Sequence, residues 1–304
     1  MTFAKRGATI WKLRTQTLAL GTRTRVMGIL NVTPDSFADG GAHFDALRAI
    51  DHGLAMFADG ADIVDIGGES TRPGKHEPET AATEQARVMP VIAGILRAHV
   101  NTTPAPVLSI DTYHAETALA AITAGVEIVN DVSGFTWDPA MARICARLAC
   151  GVVLMHTRGR PDEWKQLQPL NQQEVLPLVT HELADRLQSA LTSGVKREQI
   201  VLDPGFGFGK VFNENYPLIA GMESLRSLGQ PLLAGVSRKS FLGRPLADMH
   251  GGADLPADAR GNASVAAMVA SILAGADVVR VHDVKPAVEA ARIADAVLDA
   301  APQN

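Results

Sequence analysis

The chain has 304 residues, of which 46% are hydrophobic and 20% charged, and this balance excludes a disordered chain. Its net charge of −5 gives no basic footprint for nucleic acid, and no window approaches the ~20 apolar residues of a membrane-spanning helix. Two cysteines, Cys145 and Cys150, are too few for a disulfide or metal framework. We therefore expect a cytoplasmic protein that binds neither nucleic acid nor membrane, with both thiols buried in its core.

The first 24 residues contain two short alternating segments, TIWKLRTQ and TLALG, which meet near Gln16. This alternation predicts a β-hairpin. No residue in it suggests chemistry, so we expect the hairpin to cover the start of the core.

Beyond residue 24, short runs rich in Val, Ile and Leu recur eight times, and segments with helical spacing separate them. Eight alternating units in about 250 residues are typical of a closed (β/α)8 barrel, the TIM barrel. We predict an α/β fold of this kind as a single domain over residues 1–304, with the hairpin (1–24) as an extension. The alternative is an open doubly wound sheet, which usually has fewer strands.

The predicted strands are Arg25–Leu30, Asp62–Ile66, Val107–Ile110, Val126–Val129, Gly151–Met155, Gln199–Leu202, Pro231–Ala234 and Asp277–Val281. The predicted helices are Ala46–Ala58, Glu79–Arg97, Ala115–Ala124, Pro139–Leu148, Gln172–Ser193, Tyr216–Leu228, Ala259–Leu273 and Pro286–Leu298.

The carboxyl ends of the strands would meet at one face, which carries the active site in such barrels. Buried carboxylates are costly unless they are paired or hydrogen-bonded, so several of them around one mouth predict a ligand rich in N–H donors. Neighbouring cations predict that part of the ligand is anionic. The polar residues at the strand ends are Asn31, Asp65, Asp111, Asn130, His156, Asp203, Ser237, Arg280 and His282.

Two of these ends leave alternatives open. Adjacent side chains of a strand face opposite ways, so only one of Asn130 and Asp131 faces the mouth, and we favour a structural role for Asp131. His156, which follows Met155, is either a structural histidine or a ligand.

Two long loops follow the first two strands. Asn31–Gly41 (NVTPDSFADGG) has the length of a lid or binding loop. Gly67–Gly74 (GGESTRPG) carries hydroxyl and arginine donors that suit an anion, although a solvated loop without a ligand could have the same residues.

Three later motifs place charge at the mouth. In Ile200–Lys210 (IVLDPGFGFGK) a strand ends in Asp203, and three glycines then allow close approach to a ligand. Gly235–Gly243 (GVSRKSFLG) presents Arg238 and Lys239 in a turn. Arg280 and His282 of RVHDV share one side by period two, and the helix start that follows them favours a phosphate or pyrophosphate site.

These motifs, in this order, resemble those of dihydropteroate synthase, a family of pterin-binding TIM barrels. The resemblance runs from about Val26 to the end of the eighth unit. Seven motifs at successive strand ends make it specific, whereas SRKS alone would be weak. They are NVTPDSFADGG, DIGGESTRPG, LSIDT, VNDVSG, LDPGFGFGK, GVSRKSFLG and RVHDV.

The resemblance implies a transferase of folate biosynthesis that condenses 6-hydroxymethyl-7,8-dihydropterin pyrophosphate with p-aminobenzoate to give 7,8-dihydropteroate and pyrophosphate. It also implies Mg2+, a homodimer and a sulfonamide target. It assigns the pterin to Asp111, Asn130, Met155, Asp203, Lys239 and Arg280, and the pyrophosphate to Asn31, Thr71, Arg280 and His282, with Asn31 also facing the metal. It assigns p-aminobenzoate to Thr71, Arg72, Pro73, Phe208 and Ser237, and catalysis to Asp35 and Lys239.

Two other functions stay open. A pterin- or folate-binding barrel of a methyltransferase would keep the acids at the strand ends, but it would need no SRK turn, no GGESTRP loop and no pyrophosphate site. A catalytically silent paralogue would keep every motif and lack turnover.

Overall fold

The structure, a computed structural model, describes residue 3 and residues 6–33, 42–69, 79–100 and 104–301, and for 42–44 the backbone alone. A two-stranded antiparallel sheet comes first, formed by β1 (Thr9–Lys12) and β2 (Thr17–Leu20). The barrel strands are β3 (Arg25–Asn31), β4 (Ile63–Gly67), β5 (Val107–Asp111), β6 (Ile128–Asp131), β7 (Gly151–Met155), β8 (Ile200–Asp203), β9 (Leu233–Ala234) and β10 (Val278–Val281). The helices are α1 (Ala42–Ala58), α2 (Ala81–Ala98), α3 (Ala115–Ala124), α4 (Met141–Leu148), α5 (Gln172–Thr192), α6 (Tyr216–Ala220), α7 (Met222–Leu225), α8 (Gly261–Leu273) and α9 (Val284–Ala300).

The eight later strands form one parallel sheet that closes on itself. Its order is β8-β7-β6-β5-β4-β3-β10-β9. A parallel bridge between Leu202 and Leu232 joins its two edges, and the Leu202 N–H donates to the Pro231 carbonyl at 2.9 Å. The barrel prediction is confirmed, and the open-sheet alternative is wrong.

Strand periodicity divides each strand between two apolar layers. On β3, Val26 and Leu30 point outward and pack in the main core beneath the helices. Met27 points inward, where it packs with Ile63 and Val278 at the amino ends of the neighbouring strands. Because successive residues alternate between these faces, each inward position further along a strand is directed toward the barrel mouth.

The predicted N-terminal hairpin forms, and it closes the opposite end of the barrel. Trp11, Leu13 and Leu20 are at most 1% exposed and belong to the inner apolar layer. The Trp11 indole N–H donates to the Gln199 carbonyl at 2.8 Å, which satisfies its polar group in the core. The hairpin thus acts as an apolar plug under the strands.

One predicted helix is interrupted. Residues 216–228 form α6, α7 and a 3-10 turn at Arg226–Leu228 instead of one helix. Gly221 separates the two short helices, and a Cβ there would lie 2.3 Å from Leu176 Cδ2 of α5. Gly221 therefore allows close packing on α5 at a place where glycine weakens the helix.

One composition-based expectation is met within the described part of the chain. Both cysteines are fully buried. Of the helices formed by these residues, none is both long and apolar enough to cross a bilayer.

Candidate active site

Polar side chains replace apolar ones at the next inward position of several strands. Two residues after the inner-layer Ile63, Ile128, Val201 and Val278 stand Asp65, Asn130, Asp203 and Arg280. The shared step of two residues directs all four toward the mouth. Asp65, Asn130 and Asp203 are at most 5% exposed.

Arg280 connects three strands at the floor of the mouth. Its Nε donates to Asp65 Oδ2 at 2.6 Å and its Nη2 to Asp111 Oδ2 at 2.5 Å. Asn130 Nδ2 donates to the same Asp65 oxygen at 2.9 Å, so the Asn130 amide oxygen is the atom left to accept from a ligand. The guanidinium is thereby held in one orientation by two carboxylates.

The electrostatics of this group depend on the balance between burial and pairing. Burial raises the pKa of Asp111 to about 7, although the nearby Arg280 and Lys239 lower it. Burial lowers the pKa of Arg280, but Asp65 and Asp111 raise it above its ordinary value. Arg280 therefore stays charged, and Asp111 can gain a proton near neutral pH.

Asp203 presents one carboxylate oxygen to the mouth. Its Oδ1 accepts the Gly205 N–H at 2.7 Å. Gly235 lies beside its Oδ2, since a Cβ at Gly235 would lie 3.6 Å from that oxygen. Burial raises the pKa of Asp203 to about 6, while Gly205, Lys239 and Arg280 lower it. At neutral pH the carboxylate is an acceptor, within electrostatic reach of both cations.

Lys239 and Phe208 form the next part of the wall. The Lys239 ammonium lies over the Phe208 ring, 4.1 Å from its centroid, which is the geometry of a cation–π contact. Phe208 belongs to a small apolar cluster with Tyr113, Val132 and Met155. Met155 is 3% exposed at the end of β7, so an apolar surface lies beside the charged groups.

Ser237 and His282 lie together, and His282 is two residues beyond Arg280. Ser237 Oγ is 3.0 Å from His282 Nδ1, and it also accepts the His282 backbone N–H at 3.2 Å. Asn31 is half-buried at the end of β3, the strand next to β10. The structure therefore brings Ser237 to His282, which is predicted to hold pyrophosphate, and the role of Ser237 toward p-aminobenzoate stays a prediction.

Four predicted site residues lie outside the described part of the chain. They are Asp35 of the first loop and Thr71, Arg72 and Pro73 of the second.

The strand alternation settles two open alternatives. Asp131 points away from the mouth and accepts the backbone N–H groups of Ser133 at 2.7 Å and Phe135 at 3.1 Å, which is the structural role we favoured. His156 is fully buried on the outer side of β7. Burial and the nearby Lys210 lower its pKa well below the ordinary value, so it is a neutral structural histidine.

Sequence reasoning did not assign Asp65 to a substrate or Lys210 to any role. Asp65 is the acceptor shared by Arg280 and Asn130. Its signal in the sequence is a carboxylate two residues after an inward apolar position, which is costly in a barrel interior unless paired. Lys210 is 4% exposed and donates to backbone carbonyls, a role for which sequence offers no signal.

The arrangement suits a heterocycle that offers several N–H donors and carries an anionic tail. Carboxylate oxygens accept such donors in pairs, and Asp203 and Asp111 supply them. Lys239 can meet a ring carbonyl, while Arg280 and His282 can meet an anion.

Comparison with known proteins agrees with this geometry. Residues 27–282 match the model of the family described as pterin binding enzyme. The chain is 42% identical to the dihydropteroate synthase of Mycobacterium leprae, over 92% of this chain and 95% of that protein. The dihydropteroate synthase of Xanthomonas albilineans with 4-aminobenzoic acid superposes with a TM-score of 0.84 at 37% identity, covering 97% of this chain and 100% of the other.

The enzyme from Xanthomonas albilineans in complex with 7,8-dihydropteroate gives a TM-score of 0.77 at 36% identity, covering 93% of this chain and 97% of the other. The family match spans nearly the whole barrel, and these relatives cover more than nine-tenths of the chain. The chain therefore belongs to the dihydropteroate synthases, the pterin-binding transferases of folate biosynthesis.

Proposed function

We propose that this chain condenses 6-hydroxymethyl-7,8-dihydropterin pyrophosphate with p-aminobenzoate through the residues at its barrel mouth. The observation that carries this assignment is the convergence of Asp111, Asn130, Asp203, Lys239 and Arg280 from five different strand ends.

Asp203 is the main anchor for the pterin. Its Oδ2 would accept from the pterin amino group and the adjacent ring N–H, which are two donors on one edge. The Asn130 amide oxygen and Asp111 would accept further along this edge. Lys239 would donate to the ring carbonyl, and the Arg280 guanidinium would stack over the heterocycle.

The pyrophosphate would lie against Arg280, His282 and Asn31. Among the described side chains, no three His, Cys, Asp or Glu groups form a metal site. Mg2+ nevertheless fits here, because it binds proteins through few oxygen ligands and completes its shell with phosphate oxygens and water. The Asn31 amide oxygen is such a ligand, and bound Mg2+ would neutralise charge on the leaving pyrophosphate.

The reaction needs charge stabilisation more than proton transfer. The bond between the hydroxymethyl carbon and the pyrophosphate oxygen breaks, and Arg280 and His282 stabilise the departing anion. The resulting carbocation is delocalised into the pterin, and the arylamine nitrogen attacks it and loses a proton to solvent. Phe208, Ser237, Thr71, Arg72 and Pro73 would shape the site of the amine, and Asp35 would stabilise the cation.

We also propose that the enzyme acts in the cytoplasm as a homodimer. On α9, Ile293 and Val297 are 69% and 42% exposed. They lie four residues apart on one helical face, and a second copy of the chain would cover them.

Pyrophosphate release tests the assignment directly. Purified protein with Mg2+, dihydropterin pyrophosphate and p-aminobenzoate should release one pyrophosphate per dihydropteroate formed. No dihydropteroate should form when either the pterin substrate or p-aminobenzoate is omitted, because the product needs the amine to trap the carbocation. Correctly folded protein that forms no dihydropteroate would identify a silent paralogue or a pterin-binding barrel of another activity.

Lys239→Ala should impair use of the pterin more than use of p-aminobenzoate. The substitution removes the donor to the pterin ring carbonyl, a charged hydrogen bond of about 1.5–3 kcal/mol, so the KM for the pterin should rise at least ~10-fold. Steady-state kinetics with each substrate varied in turn measures this, with the exposed Lys196→Ala as the control. Equal KM increases for both substrates would contradict the assignment of Lys239 to the pterin.

A further inference from the structure

Lys210 is a buried cation beneath the mouth that the mechanism above does not use. Its ammonium donates to the carbonyl oxygens of Gly205 at 2.8 Å, Phe208 at 3.1 Å and His156 at 3.4 Å. An ammonium has three N–H donors, so three converging carbonyls match its full capacity. All three acceptors belong to the backbone.

The carbonyls converge because the glycine-rich loop folds tightly against the end of β7. Gly205 has φ +67°, and a Cβ there would lie 1.8 Å from the His156 carbonyl oxygen. Gly209 has φ +65°, and a Cβ there would lie 2.6 Å from the Arg158 carbonyl oxygen. Only glycine allows this approach, and the carbonyls it crowds together need a donor, which Lys210 provides.

This loop is bonded to Asp203 and contains Phe208, the two residues assigned to the two substrates. Gly205, whose carbonyl Lys210 holds, donates its N–H to Asp203 and so orients that carboxylate. Phe208, whose carbonyl Lys210 also holds, places its ring under the Lys239 ammonium. Lys210 itself is 4% exposed below the loop, so its hydrogen bonds reach both substrate sites through the backbone.

The buried position of Lys210 is energetically unfavourable for a charged group. Burial lowers the pKa of Lys210 well below its ordinary value, and the neighbouring Arg186 and Arg158 lower it further, whereas Asp203 raises it. A buried charge near other cations is not a favourable choice for stability alone.

We propose that Lys210 is a positioning residue that orients Asp203 for the pterin and Phe208 for p-aminobenzoate by gathering the loop carbonyls onto its ammonium. This inference rests on the proposed assignment of Asp203 and Phe208 to the two substrates. The effect of Lys210 should therefore be specific to the ligands that contact the loop.

The test compares Lys210→Met with Arg6→Met. Arg6 is a buried cation at the plugged end of the barrel, where it bonds to Thr24, Ala276 and Asp295. Both variants should lower the melting temperature. Lys210→Met should also raise the KM for each of the two substrates by about 10-fold or more, while leaving the Kd of inorganic pyrophosphate within about 2-fold. Arg6→Met should leave all three constants unchanged.

A double-mutant cycle shows whether Lys210 acts through Asp203. In the Asp203→Asn background, Lys210→Met should weaken pterin binding by no more than about 3-fold, because coupled residues are not additive. Lys210→Gln keeps two N–H donors and should give intermediate KM values. This variant replaces Lys210→Met in the test if the methionine variant does not fold.

Unchanged KM values in a folded Lys210 variant would overturn the proposal, and so would a rise in the Kd of pyrophosphate equal to that for the substrates. Full additivity in the cycle would also overturn it. A wild-type protein that neither binds the pterin nor forms dihydropteroate would instead refute the proposed function.

Discussion

Asp203→Asn is expected to weaken binding of dihydropterin pyrophosphate by about 100-fold or more. The pterin edge presents two N–H donors to the carboxylate, and hydrogen bonds to a charged group contribute about 1.5–3 kcal/mol each. Asparagine supplies one oxygen and turns an amide N–H₂ toward a donor. The Gly205 N–H can still bond to the asparagine oxygen, so the loop should keep its conformation.

The same substitution should stabilise the free enzyme at neutral pH. Burial raises the pKa of Asp203 from 3.8 to about 6. The native state therefore holds its proton up to a higher pH than the unfolded chain does, and stability falls as the pH rises between these two values. Asparagine removes this cost of about 1–3 kcal/mol. The gain in stability of Asp203→Asn over wild type should be absent below about pH 4 and complete above about pH 7.

Calorimetric titration and thermal unfolding measure the two effects of Asp203→Asn. Asp131→Asn is a matched control, because burial also raises the pKa of Asp131 to about 6 while its side chain points away from the mouth. This control should leave pterin affinity unchanged. Unaltered pterin binding by folded Asp203→Asn would refute the role of this carboxylate.

Arg280→Met is expected to abolish turnover and to destabilise the fold. The variant loses the group that stabilises the leaving pyrophosphate, so kcat/KM should fall by about 1,000-fold or more. It also leaves Asp65 and Asp111 without the cation that bonds to both. Breaking a buried ion pair from one side typically costs about 3–5 kcal/mol.

Part of the lost stability of Arg280→Met should return as the pH falls. Arg280 lowers the pKa of Asp111, so its removal raises that pKa further above the unfolded value. The native state then binds a proton that the unfolded chain releases, and stability rises toward low pH. Melting temperatures at pH 5.5 and 8 test this, relative to wild type.

The control for Arg280→Met is Arg23→Met. The Arg23 side chain is 51% exposed, and its pair with Asp62 lies at the opposite end of the barrel. An exposed pair contributes only about 0–1 kcal/mol, so this variant should keep its activity and nearly all of its stability. If Arg280→Met were as stable and active as Arg23→Met, Arg280 would not be the centre of the site.

Some expectations from sequence hold because they depend on short-range patterns. Alternation along a strand separated Asn130 from Asp131, and only Asn130 faces the mouth. The same rule placed Asp203 and Arg280 at one face once eight strands were counted. These inferences needed only the period of two residues and the closure of the barrel.

Other features were missed because they depend on contacts between distant segments. The break lies at Gly221, which packs against Leu176, 45 residues earlier. Asp65 meets Arg280 across 215 positions of sequence, and Lys210 binds carbonyls that follow the carboxyl ends of β7 and β8. No local sequence pattern predicts such partners.

By itself the sequence determined the eight strand–helix units, the N-terminal hairpin and the polar residues that end the strands. This information is local, since hydrophobic period and turn residues act within a few positions of one another. The tertiary structure alone decided which charges pair, which carboxylate oxygen stays available and what lies beneath the glycine-rich loop. Those outcomes depend on how neighbouring strands are staggered when the sheet closes. The stagger sets the distances between side chains that are far apart in the chain.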